Sequence, residues 1–287
     1  MLVRRWLQRP WTCCLVSPVG LTFTQARKTN KTPCIVPREI LLKKGYNVVA
    51  LQRSETPELV KLADTYSGSL VISKGDVAKD EDNKASLVAA VDVAMQMYSR
   101  LDGLILNAGT LSPLGKISSM TDRLAEHKAL FDTNYFSLVS IISHALPFLN
   151  ERANKDLQER EEISGRIVMV SSGASTGGVA GWGAYSASKA AMNSLARTLG
   201  NEEPNISTLA VRPGVVDTEM QTSLRATGEQ HMSAKDFSKF TGLHERGELV
   251  PPEKPGAVLA GLAIKATKEW SGNFVSWDAE EMKEYAM

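Results

Sequence analysis

Cysteine is scarce in this chain: Cys13, Cys14 and Cys34 are all it has in 287 residues, and none follows. That excludes a disulfide-stapled secreted scaffold and fits a reducing compartment. Histidine is equally thin. His127, His144, His231 and His244 are scattered, no metal-ligand spacing occurs, and no metal site is expected. Nor is there a run of about 18 apolar residues, so no membrane span is expected. Neither sign of charge dominates, with a formal net charge of +1, which argues against a nucleic-acid partner. Repeats and low-complexity tracts are also absent.

Two local absences say more. Residues 1–38 hold seven Lys and Arg but no Asp or Glu. An acid-free, Arg-containing start is the composition of a mitochondrial targeting segment; a structureless N-terminus with no address is the plainer alternative. The second absence is glycine, of which there is none between Gly20 and Gly45.

What remains has ordinary globular composition, 43% hydrophobic and 23% charged, at a length that suits one large α/β domain. The chain is organised around Gly165–Met192, GRIVMVSSGASTGGVAGWGAYSASKAAM. Ile167–Val170 reads as a buried strand, followed by Ser171-Ser172 and a glycine-rich loop. The alanine-rich stretch from Ala184 reads as a helix with Tyr185 and Lys189 at i and i+4, on one face and a turn apart. An ammonium near a phenol favours the phenolate, so Lys189 is expected to lower the pKa of Tyr185. Such a tyrosine exchanges a proton with a carbonyl or alcohol oxygen near neutral pH. Ser172, brought back by the loop, is placed to hydrogen-bond the same oxygen.

Strand, serine pair, glycine loop and Tyr-x3-Lys helix together resemble the short-chain dehydrogenase/reductase family. The resemblance runs from about Pro37 to the C-terminus, and Asn47–Trp277 most resembles fungal carbonyl or diketone reductases within that family. It implies a doubly wound, parallel, Rossmann-like α/β sheet over residues 37–287 and NAD(P)-linked carbonyl/alcohol chemistry. It also implies catalytic roles for Asn134, Ser172, Tyr185 and Lys189, with Asn134 distorting its helix and holding a water of the proton relay.

Around the cofactor the resemblance assigns further positions. Arg53, after the strand Asn47–Leu51, suits a 2′-phosphate and favours NADP(H), with NAD as the alternative. Asp76 stands beside the adenine, with helix capping as its rival role. Asn107-Ala108-Gly109 makes room for the cofactor after the strand Asp102–Leu106. Pro213, Gly214, Val216 and Thr218 hold the nicotinamide end, and Tyr185 and Lys189 also touch cofactor.

The family pattern fails at the phosphate cradle. A glycine-rich turn lets the backbone and a helix N-terminus approach the pyrophosphate, yet the three glycine positions fall at Lys31, Ile35 and Pro37. The first strand and glycine turn are therefore missing or replaced, with Cys13–Val16 and Ser17–Gly20 as substitutes. Residues 1–36 are expected to be atypical and disordered. An exchanged first exon, a mis-specified N-terminus and true loss of cofactor binding stay open, so a cofactor-deficient or inactive variant is the alternative to an active reductase.

The remaining expectations are these. Helices are expected at Arg38–Lys44, Pro57–Tyr66, Lys79–Arg100, Thr121–Leu149 (broken near Pro147) and Pro251–Lys268. Glu219–Gly247 is expected as a polar, mobile substrate lid in which Met220, Leu224, Met232 and Phe237 either line a pocket or simply pack. The partner is a small carbonyl or alcohol substrate, the assembly a homodimer or homotetramer, and the location the cytoplasm, with mitochondria as the alternative.

Overall fold

The computed structural model describes residues 11–15, 35–52, 55–76, 80–155 and 163–287. Among these, short apolar and β-branched runs form seven strands. They are β1 Trp11–Leu15, β2 Asn47–Gln52, β3 Leu70–Lys74, β4 Gly103–Leu106, β5 Gly165–Val170, β6 Ile206–Arg212 and β7 Phe274–Ser276. The helices between them are α1 Ile35–Lys43, α2 Pro57–Thr65, α3 Asp80–Tyr98, α4 Leu124–Phe131, α5 Ser137–Lys155, α6 Gly183–Glu202, α7 Glu219–Thr227, α8 Ala234–Glu245 and α9 Glu253–Lys265. Every strand pairing is parallel, in the order β3-β2-β1-β4-β5-β6-β7. This is the expected doubly wound α/β fold. The order reverses between β1 and β4, where such a sheet opens a crevice at its carboxyl ends.

Strand periodicity of two divides the core. Val49, Leu51, Leu104, Leu106, Ile167 and Met169 face one layer with buried residues of α3, α5 and α6. Val48, Ala50, Ile105, Val168 and Val170 face the other, with residues of α1, α2 and α9. Both faces are covered, which is why these strands read as continuous apolar runs rather than alternating ones. A third cluster, containing Leu111, Leu114, Trp182, Tyr185, Leu224 and Phe240, draws on the segments that follow β4, β5 and β6.

The N-terminus differs from expectation. The disorder expected over 1–36 gives way at Trp11–Leu15, which lies in the middle of the sheet. It is registered against Asn47–Leu51 of β2 and, through Cys13–Leu15, against Leu104–Leu106 of β4. A strand covered on both faces needs only a short apolar run, and WTCCL is one; the basic, proline-flanked surroundings obscured it. It replaces the first family strand two residues ahead of the expected substitute. Of the expected glycine positions, Ile35 and Pro37 belong to α1, and Lys31 lies outside the described residues. The start of α1 is used for packing: a Cβ on Gly256 of α9 would lie 2.6 Å from Val36 Cγ1.

Two further expectations are corrected. The long helix does not break at Pro147, because α5 runs through it to Lys155. Burial of Ala145 and Leu149 on either side outweighs the one backbone bond that proline removes. The irregularity falls earlier, as a π-turn over Asp132–Phe136. The polar stretch Glu219–Gly247 is largely helical, forming α7 and α8. Thr218 and Ser233 cap these helices by accepting from Gln221 N and Asp236 N, and Leu224 and Phe240 anchor them inward.

Candidate active site

β5 delivers its last residue, Val170, to the carboxyl edge of the sheet, and Ser171-Ser172 follow. Ser172 is extended (φ −155°, ψ 152°), and its hydroxyl oxygen accepts from Ala174 N at 3.1 Å, starting a short 3₁₀ turn. A chain of hydrogen bonds locks that turn to α6. Ser171 Oγ donates to Asn193 Oδ1 at 2.6 Å, Asn193 Nδ2 donates to Ser175 Oγ at 2.8 Å, and Ser175 Oγ donates to Ser172 O at 2.6 Å. Within this turn the hydroxyls of Ser171, Ser172 and Ser175 each keep a partner.

Tyr185 and Lys189 share the buried face of α6, as their spacing predicts. Lys189 Nζ lies 5.9 Å from the Tyr185 ring centroid and donates to Val170 O at 2.7 Å. The Ser172 hydroxyl lies close enough to the Tyr185 phenol to pull its pKa down. Sequence spacing therefore brings Ser172, Tyr185 and Lys189 together, but the expected electrostatics are corrected. Burial raises the phenol above its ordinary pKa of 10.0, and the opposing pull comes from Ser172, not from Lys189. The lysine is itself pushed down to about 7 by burial. Desolvation penalises both charged forms, and here it outweighs their mutual attraction.

Asn134 is fully buried inside the π-turn. Its Oδ1 accepts from Thr110 N at 2.7 Å. Its Nδ2 donates to Thr110 O at 2.9 Å and to Ser188 Oγ at 3.0 Å. Ser188 Oγ in turn donates to Tyr185 O at 2.8 Å. One amide therefore joins the segment after β4 to the turn of α6 that carries Tyr185, and the wide π-turn is the kind of helix irregularity that collects at functional sites. A Cβ on Gly109 would lie 3.5 Å from both Asn134 Oδ1 and Lys189 Nζ, so this glycine keeps space open beside the lysine.

The remaining assigned positions are spread along the same edge. Asn107 and the buried Ala108 follow β4. Pro213 and Gly214 follow β6; Gly214 takes φ +78°, and a Cβ there would press within 3.1 Å of Trp277 Nε1. Val216 bridges in parallel to Val250, and Thr218 caps α7. Asp76 follows β3, half-buried. Arg53 lies outside the described residues, immediately after Gln52, whose Oε1 accepts from the buried Arg38 Nη1 at 2.9 Å.

Sequence reasoning missed Thr110, Ser188, Asn193 and Trp182. Asn193 was detectable: it lies two turns beyond Tyr185, a polar residue on the same buried face of α6. Trp182 has no such signal. Its ring stacks on Phe240 of α8 at 5.1 Å and 23°, and meets Tyr185 edge-on at 5.6 Å and 88°.

A small-residue opening beside a buried lysine, on the edge of a doubly wound sheet, suits the nicotinamide half of a dinucleotide. The segment that would meet the pyrophosphate lies among residues 16–34, outside those described. A serine-backed phenol beside that opening defines an oxidoreductase that works between a carbonyl and its alcohol with a nicotinamide cofactor. The chain belongs to the short-chain dehydrogenase family, whose model matches residues 38–229.

Among its relatives, an uncharacterised oxidoreductase of Schizosaccharomyces pombe is 40% identical over 237 residues, covering 82% of this chain and 88% of that one. A benzil reductase, (S)-benzoin forming, of Saccharomyces cerevisiae is 36% identical over 209 residues, 71% of this chain and 76% of the relative. The crystal structure of a short-chain dehydrogenase/reductase from Saccharomyces cerevisiae superposes with a TM-score of 0.82 at 31% identity, over 96% of this chain and all of that one. No described helix is long and apolar enough to cross a membrane.

Proposed function

We propose that this chain is an NADP(H)-dependent reductase of bulky apolar ketones and diketones. The observation that carries the reading is a buried phenol, Tyr185, close to the Ser172 hydroxyl and with Lys189 one turn further along. Reduced nicotinamide, when bound, supplies the hydride. Lys189 and Tyr185, with Asn107, Ala108, Gly109, Pro213, Gly214, Val216 and Thr218, would hold its nicotinamide side, and Arg53 and Asp76 its adenosine side. The arginine directly after β2 is the support for NADP(H) over NAD.

In reduction, Tyr185 gives its proton to the carbonyl oxygen; in oxidation it takes one from the alcohol. A phenol raised by burial stays protonated at neutral pH, which suits the reductive direction. Ser172 holds the same oxygen by its hydroxyl. Lys189, with a pKa of about 7, can return a proton to the phenolate near neutral pH. Asn134 keeps Thr110 and Ser188 fixed around that pair and, through the wide turn it occupies, supports a water path from the lysine. Apolar substrate is supported by the surroundings of Tyr185, where Leu111, Leu114, Leu224, Met232 and Phe240 are all buried in one cluster. The benzil reductases among the relatives support the same class. The reading includes a homo-oligomer working in the cytoplasm.

The test is benzil reduction by the purified full chain, with NADPH and NADH compared. Turnover favouring NADPH, lowered about 10³-fold in Tyr185→Phe, is expected. Turnover that survives in the phenylalanine variant would remove Tyr185 from its role. No binding of either nucleotide, by fluorescence or thermal shift, would favour the cofactor-deficient alternative.

A further inference from the structure

The buried face of α6 carries three polar side chains at four-residue spacing: Tyr185, Lys189 and Asn193. In the reductase reading the first two carry the proton chemistry. Asn193 is equally buried, at 5% exposed, and both ends of its amide bond to the turn that follows β5.

The amide orientation fixes the hydrogens of that turn. Asn193 Oδ1 can only accept, so the Ser171 hydroxyl donates to it at 2.6 Å. Asn193 Nδ2 can only donate, so Ser175 Oγ accepts from it at 2.8 Å, and the Ser175 hydrogen is left for Ser172 O, 2.6 Å away. The reverse amide would turn that hydrogen away from Ser172 O. The Ser172 carbonyl therefore accepts twice from Ser175, the second time from its N–H at 3.0 Å. One turn earlier on α6, Lys189 Nζ donates to Val170 O at 2.7 Å. Val170, Ser171 and Ser172 are thus tied to α6 one after another, the last of them through Ser175.

The consequence falls on Ser172. Its main chain is extended (φ −155°, ψ 152°), and its Oγ accepts from Ala174 N at 3.1 Å. A hydroxyl that accepts from the protein keeps its own hydrogen for another acceptor. The direction of that hydrogen follows from the Ser172 backbone. The loop beyond cannot hold the backbone in place by itself, because Gly173, Gly177 and Gly178 restrain it least of all residues.

We infer that Asn193 is a positioning residue of the reaction: by turning Ser175 onto the Ser172 carbonyl, it aims the Ser172 hydroxyl at the substrate oxygen beside Tyr185. This rests on the reductase reading above and deepens it. One helix then supplies the proton donor, the amine and the group that aligns the serine. An amide that served the fold alone would differ in one respect. If Asn193 acts through Ser172, removing it has no effect on rate once the Ser172 hydroxyl is gone.

The test is benzil reduction with NADPH by the full chain, as wild type, Asn193→Leu, Ser172→Ala and the two combined. Leucine keeps the approximate shape and removes both bonds. In Asn193→Leu, kcat is expected to fall about tenfold with KM for NADPH within about twofold of wild type. The double variant is expected to be no slower than Ser172→Ala alone. Ser175→Ala removes a single hydroxyl and leaves Asn193 in place, so it carries the same comparison where the leucine variant does not fold; its kcat should fall by a smaller factor, and that loss should also vanish in the Ser172→Ala background. Losses that multiply in the double variants, or a lowered melting temperature with kcat unchanged, would overturn the role of Asn193 and leave the reductase reading standing. A wild type that reduces no benzil would overturn the reductase reading, and this role with it.

Discussion

Lys189 shows how much one buried amine constrains this site. Its folded pKa of about 7 lies below the ordinary 10.5, and burial is the cause. Between those values the unfolded chain holds a proton that the folded chain lacks, so stability must rise with pH across that window. Below about pH 7 both states are charged and the full desolvation penalty applies; above the unfolded value both are neutral and it vanishes. The slope is up to about 1.4 kcal/mol per pH unit. Lys189→Met removes the titration together with the bond to Val170 O, and the lost bond adds an offset that does not vary with pH. Urea denaturation of both proteins should therefore show wild type gaining on the variant from about pH 7 to about pH 9. Parallel curves would mean that the ammonium is solvated in the folded state. Tyr185 works the other way: its raised pKa favours the folded state below 10 and ceases to do so as pH rises through the folded value. The window named for lysine lies below that range.

At the scale of elements, α9 shows how closely this fold brings backbone to backbone. A Cβ on Gly261 would lie 1.8 Å from Tyr285 O and 2.7 Å from Tyr285 C, in the short C-terminal helix Glu280–Tyr285. In an exposed helix Gly→Ala would stabilise by about 1 kcal/mol. Here the obstacle is main chain and cannot rotate away, so Gly261→Ala should instead destabilise by about 3 kcal/mol. A denaturation midpoint at or above wild type would show that the C-terminal helix is free to lift. Such contacts are not written in a sequence, whereas the elements that make them largely were. NVVAL and Ile167–Val170 are apolar runs of strand length, and each lies within a strand. Tyr185, Lys189 and Ser172 were legible because helix spacing and a short loop suffice to join them. The Asn193 chain and the Asn134 clamp needed distances across three elements. α7 and α8 stayed hidden because their inward anchors, Leu224 and Phe240, are few among many polar residues.

For the molecule as a whole, the decisive strand is the one whose sequence looks least like its family. β1 is flanked on both sides, by β2 through Trp11–Leu15 and by β4 through Cys13–Leu15. It therefore joins the half of the sheet that carries Gln52 and Asp76 to the half that carries Ser172 and Tyr185. Without it, β2 and β4 would each present a row of unpaired backbone groups in the centre of the molecule. Val49 and Leu51 would also lose the neighbouring strand from a layer in which Leu104 and Leu106 are now fully buried. Neither edge can be solvated while the helices cover both faces, so the damage cannot stay local. A chain beginning at residue 16 is thus expected to lose its cooperative thermal transition and to aggregate, whereas removing only residues 1–10 should leave the transition within a few degrees of wild type. Light scattering and calorimetry on the two truncations decide between this and an expendable N-terminus. If the shorter chain melts cooperatively at the wild-type temperature, WTCCL does not hold the sheet together, and the strand between β2 and β4 must come from elsewhere in the chain.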